Sequence, residues 1–84
     1  KLKNTKFTNC NLQETDFTEV NLSNSLLDNC DLKRAVFENS NLEKADFRTS
    51  YNYSINPETN NIKKAKFSLN GIAGLLEKYQ ILIE

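Results

Sequence analysis

Cys10 and Cys30 are the residues of this chain best suited to covalent chemistry, and they stand 20 positions apart. Thiols can form a disulfide, bind a soft metal or act as nucleophiles, but nucleophilic work needs a base beside them. The chain has no His, so Ser–His and Cys–His pairs and His-containing metal sites are excluded. Gly71 and Gly74, its only glycines, form no phosphate-cradling motif. Lys63, Lys64 and Lys66 are the densest basic cluster, yet Lys and Arg together only balance Asp and Glu. A formal charge of zero is poorly matched to direct nucleic-acid binding, which depends on excess positive charge to displace counterions. Tyr51 and Tyr53 remain as a candidate interaction surface, because exposed aromatics are enriched at interfaces, or as a structural cover. We assign no catalytic, cofactor-binding or metal-ligating residue and expect no cofactor.

The elements that position these residues follow from one periodicity. Leu2, Phe7, Leu12, Phe17, Leu22, Leu27, Leu32, Phe37, Leu42 and Phe47 recur every five residues. Two positions before each stands a small residue such as Thr5, Cys10, Ser25, Cys30, Ala35, Ser40 or Ala45, with Val20 the largest. The residue directly before is usually Asn or Asp, as in Asn11, Asp16, Asn21, Asp31, Asn41 and Asp46. A five-residue period would scatter the large apolar side chains around an α-helix and alternate them across a flat strand. It needs a backbone that turns a corner every five residues and sends each Leu or Phe toward a common axis. The low apolar fraction, which would suggest disorder if scattered, is therefore concentrated on one side of the chain.

This pattern resembles the pentapeptide-repeat family, A(D/N)Lxx, over residues 1–50. The resemblance implies an all-β solenoid, a right-handed quadrilateral β-helix with four pentapeptides per coil. Residues 20 apart should then stack at about the 4.8 Å strand spacing. Glu14 falls under Arg34, Asp28 under Arg48, Glu43 under Lys63 and Asp46 under Lys66, while Lys44 over Lys64 is a like-charge stack. Asn21, Asn41 and Asn61 align as a prospective amide ladder. Exposed ion pairs add little to stability, so these pairs matter as signs of register. On such a coil the carboxylates lie on outward positions of a convex surface, without the cleft that catalysis requires. Cys10 and Cys30 occupy the same inward site one coil apart. Their expected Cα separation lies in the disulfide range. Parallel side chains suit that bond poorly, so we read both as small buried residues.

The phase breaks between Tyr51 and Asn60, where Asn52 and Pro57 stand at the inward sites, and returns at Ile62 and Phe67. We therefore expect one domain over 1–84: regular coils over 1–50, an irregular crossing over 51–61, a resumed coil over 62–68 and a C-terminal cap over 69–84. The expected core is the ten repeat residues with Ile62 and Phe67. In the crossing, Tyr51, Tyr53 and Ile55 alternate as an extended segment and Asn56-Pro57-Glu58 reads as a turn. In the cap, Asn70 is the expected N-cap of a short helix carrying Ile72, Leu75, Leu76 and Tyr79 on one face. Lys78 suits the negative end of its dipole, and Ile81–Ile83 reads as a short apolar tail or final strand. The first coil starts at once at Leu2, so we expect either further coils upstream, in a longer chain, or an end-to-end homodimer.

No apolar run approaches the roughly 20 residues of a membrane span. The expected function is a non-enzymatic structural or protein-interaction module, bacterial and cytoplasmic, whose partner is a protein. The resemblance implies an alternative, since some members of the family mimic duplex DNA and bind type II topoisomerases. The neutral charge and the lack of a long loop fit that role less well.

Overall fold

The computed structural model describes residues 2–84. Its backbone turns where the repeat requires. The residue two after the repeat Leu, Phe or Ile has positive φ at Asn4, Asn9, Glu14, Glu19, Asn24, Asn29, Arg34, Asn39, Lys44 and Lys64, with values of 54–62°. Asn tolerates this left-handed conformation better than most residues, whereas Glu, Arg and Lys carry its steric cost. The Asn and Asp before the Leu or Phe hold the approach to each corner. Asn11, Asp16, Asn21, Asp31, Asn41, Asp46 and Asn61 each accept the backbone N–H two residues on, at 2.9–3.1 Å. These side chains stand in for a backbone carbonyl in a turn, which is why Asn and Asp are favoured there.

Four pentapeptides bring the chain back onto itself as a β-helix. Strand β1 (Lys6–Thr8) pairs in parallel with β3 (Leu26–Asp28), and β2 (Asp16–Thr18) pairs with β4 (Val36–Glu38). Single bridges continue the stack through Asn11↔Asp31↔Tyr51, Asn21↔Asn41↔Asn61 and Leu26↔Asp46↔Lys66. The register of 20 residues thus persists across the interrupted stretch to Asn61 and Lys66.

The apolar residues meet on the axis. Phe17, Leu22, Leu27, Leu32, Phe37, Leu42 and Phe47 are buried, and Leu2, Phe7, Leu12, Ile62 and Phe67 are half-buried against them. Phe17 stacks on Phe37 with ring centroids 5.0 Å apart, and Phe47 on Phe67 at 5.3 Å. The small inward residues do more than leave room. Ser25 Oγ accepts the Thr5 N–H (3.1 Å) and donates to the Leu2 carbonyl (2.7 Å), tying one coil to the previous one. Ser40 does the same between the Val20 N–H and the Phe17 carbonyl. Asn60 continues the column, accepting the Ser40 N–H (3.0 Å) and donating to the Phe37 carbonyl (3.1 Å). Each hydroxyl or amide answers backbone groups that would otherwise be buried unpaired.

The crossing and the cap depart from expectation in instructive ways. Tyr53 and Ile55 are buried and fill the axis where the repeat lapses, with the Tyr53 ring 5.8 Å from Phe47 and 5.7 Å from Phe67. The cap is two 3₁₀ segments, Leu69–Leu75 and Glu77–Tyr79, where an α-helical period was expected. Ser68, rather than Asn70, occupies the N-cap position, and its side chain makes no capping bond. The reason for the tighter winding lies in Gly71 and Gly74. In a 3₁₀ turn residues three apart eclipse, so both glycines face one edge, and that edge is pressed on Tyr53. A Cβ on Gly71 would stand 2.0 Å from the Tyr53 hydroxyl, and one on Gly74 would stand 2.2 Å from the Tyr53 carbonyl oxygen. The Ile55 N–H donates to the Gly74 carbonyl (2.9 Å) and seals the contact. Only Leu75 of the expected apolar face packs on the core, while Ile72 and Tyr79 are exposed. Ile81–Ile83 forms no strand.

Candidate functional surface

The coil faces are mostly polar, with Val36 and Tyr51 exposed among them, and several side chains bond between neighbouring coils. Arg34 pairs with Glu14 one coil away (3.2 Å), as the stacking predicted. Arg48 does not pair with Asp28. It makes two bonds to Asp46 (2.9 and 3.0 Å), because Asp46 is already fixed beside it by the Arg48 N–H, and Thr49 takes Asp28 at 2.8 Å. The Arg48 hydrogen bonds hold the Asp46 carboxyl below its ordinary value. Among the described residues Glu43 makes no ion pair with Lys63. Lys63, Lys64 and Lys66 are exposed. The Asn ladder has one side-chain rung at the expected place, Asn61 to Asn41 (3.3 Å), and another at Asn29 to Asn9 (2.7 Å).

Tyr51 and Tyr53 part company. Tyr51 is exposed and continues the Asn11–Asp31 column, lining a shallow depression of about 290 Å³ with Asn9, Cys10, Asn11, Asn29 and Asp31. Asn52 and Gln13 both donate to Asp31 (3.0 and 2.6 Å) and lower its pKa. Tyr53 is only 4% exposed, so it belongs to the core and not to an interaction surface. Burial pushes its ionisation upward, and its hydroxyl lacks a hydrogen bond of ordinary geometry, with Ser68 close by and opposing the shift. Burial likewise raises the pKa of Cys30, whose side chain is inaccessible, whereas Cys10 is half-buried.

Glu58 was not singled out by the repeat pattern, yet it latches the crossing to the cap. Its carboxylate receives Lys78 Nζ and the Tyr79 hydroxyl, both at 2.5 Å. These bonds lower the Glu58 pKa and raise those of Lys78 and Tyr79. Lys78 thus serves a side chain of the crossing rather than a helix dipole. The same cap leaves Leu69, Ile72, Tyr79, Ile81, Leu82 and Ile83 exposed. Among the described residues the cap carries six of the eight exposed large apolar side chains, the others being Val36 and Tyr51 on the coils.

Among the described residues no group of three or more His, Cys, Asp or Glu side chains is placed to hold a metal ion. No helix among them is long and apolar enough to cross a membrane. Compared with known families, residues 1–75 match the pentapeptide repeat region, and the chain belongs to that family. No curated protein matches the chain.

Proposed function

We propose that this member of the pentapeptide-repeat family is a right-handed, four-sided β-helix that works as a non-enzymatic protein-interaction module, with the cap over 69–84 as its contact surface. The observation that carries the reading is the concentration of exposed apolar side chains in the cap, with Leu69 at 87% and Leu82 at 86% exposure. Clustered exposed apolar side chains mark interaction sites, whereas apolar residues exposed singly are ordinary. A solenoid ordered before binding loses little conformational entropy when a partner docks. The free thiols suit a reducing, cytoplasmic compartment. A photo-crosslinker placed at Leu82 in cells should give one discrete protein adduct, and the same probe at Lys64 on the coil should give none. Adducts from the coil alone would refute this assignment of the surface.

The DNA-mimic alternative needs an uncompensated row of negative charge. Glu14, Asp46 and Glu58 are each held by a cation of this same surface. We expect no change in DNA gyrase supercoiling, with or without a quinolone, at high protein concentration.

A further inference from the structure

We infer that Cys10 and Cys30 form a two-coordinate site for a soft divalent cation, which would bridge adjacent coils in line between the two sulfurs. The two thiols occupy the same inward position 20 residues apart, and the Asp31 N–H on the Cys10 carbonyl (3.1 Å) with the adjoining Asn11↔Asp31 bridge holds them in register. They also make a matching hydrogen bond, and Cys30 Sγ points in addition to the Phe7 carbonyl of the coil that carries Cys10 (3.7 Å). Each Sγ donates to the carbonyl two residues before it, Cys10 to Thr8 (3.3 Å) and Cys30 to Asp28 (3.4 Å). Equal positions with matching bonds to the carbonyl two residues before set the sulfurs one above the other, at about the 4.8 Å spacing of stacked coils.

That spacing suits one atom between the sulfurs better than none. A disulfide needs Cβ atoms roughly 3.8 Å apart, so the coils would have to close by about 1 Å. A metal–thiolate bond is about 2.3 Å for zinc and similar for other soft cations, which sets collinear sulfurs about 4.6 Å apart. Cys30 lies in the core and Cys10 packs against it, so both side chains run across the direction in which the coils stack. The Cβ–Sγ–metal angle then comes close to the right angle that divalent sulfur favours. With only two ligands, the site rejects zinc, which takes four. Buried Cys30 disfavours net charge, so a divalent ion forming a neutral dithiolate fits better than a monovalent one. Entry is from the depression that Cys10 lines with Asn9, Asn11 and Asp31.

The mercuric ion is the probe for this class. Binding breaks two S–H bonds, forms two S–Hg bonds and releases two protons, with no change of oxidation state. Reduced protein titrated with mercuric chloride should take up one ion per chain, seen by native mass spectrometry as one mercury gained and two hydrogens lost. It should also develop sulfur-to-mercury absorption in the near ultraviolet. Cys10→Ser and Cys30→Ser should each weaken retention against excess N-acetylcysteine by about 100-fold or more, because the second bond becomes intermolecular. Ser is native to this inward site at Ser25, Ser40 and Ser50, so both variants should keep the wild-type circular dichroism. Two ions per chain, unchanged retention in either variant, or quantitative disulfide formation in air without metal would each overturn the inference.

Discussion

Leu12 and Leu32 are the same residue at the same position of adjacent coils, yet Leu32 is fully buried and Leu12 only half-buried. Their backbone environments match as well, since the Leu12 N–H reaches the Asp31 carbonyl (2.9 Å) and the Leu32 N–H reaches the Tyr51 carbonyl (3.0 Å). What differs is that Leu32 has coils on both sides, while among the described residues Leu12 has one. Burial in this fold therefore belongs to the stack and not to the pentapeptide, as expected where each unit contacts only its neighbours.

The largest expected effect follows directly. Leu32→Ala should cost about 3–5 kcal/mol in urea unfolding, and Leu12→Ala no more than about half of that, because less of its surface leaves water. Equal costs would mean that the coils unfold with no gradient along the axis. Next in size is Gly74→Ala in the cap. The added methyl meets the backbone oxygen of Tyr53, which cannot swing aside, so a loss of about 1–3 kcal/mol is expected. The accompanying sign should be faster proteolysis within 69–84 while the central coils stay protected. Ser40→Ala sharpens the comparison from within the stack. It deprives the Val20 N–H and the Phe17 carbonyl of their partner, at a cost of about 1–3 kcal/mol by thermal unfolding.

Two smaller effects follow. Glu19→Asn should stabilise by about 0.5–1 kcal/mol, since φ at Glu19 is 56° and Asn bears that conformation at lower cost. It would also place an amide under Asn39, the arrangement seen at Asn9 and Asn29. The Glu58 latch should respond to pH at both ends. Glu58 titrates below its ordinary 4.5, so its contribution is complete above that value and disappears as pH falls through the lowered pKa. Lys78 and Tyr79 titrate above their ordinary 10.5 and 10.0, so their contributions are complete below those values and disappear as pH rises through the raised pKa values. Tyr79 fluorescence should therefore change at each extreme, and Glu58→Gln should remove the acid limb.

Much of the stack was legible in the residues, because its geometry is a local period repeated. The Leu and Phe positions, the small inward sites, the coil of 20 residues and the return of phase at Ile62 all follow from spacing. Spacing alone does not identify the partner of Arg48, because the partner of a long side chain depends on which groups are already engaged. Asp46 was fixed beside Arg48, and Thr49 had taken Asp28. In the cap, Ile72, Leu75, Leu76 and Tyr79 carry an α-helical period, whereas the winding accommodates two glycines fitted against Tyr53. That contact depends on where a residue of the crossing sits in space, and no local pattern records it. The candidate surface was half visible for the same reason. Tyr51 and Tyr53 look alike in sequence, and only the gap on the axis draws Tyr53 inward.

Amide hydrogen exchange, resolved by residue, tests the dependence of each coil on its neighbours most directly. We predict greatest protection at Leu22, Leu32 and Leu42, less at the equivalent Leu2 and Leu12, and least across 69–84. Equal protection at Leu12 and Leu32, or a cap that outlasts the central coils, would contradict it.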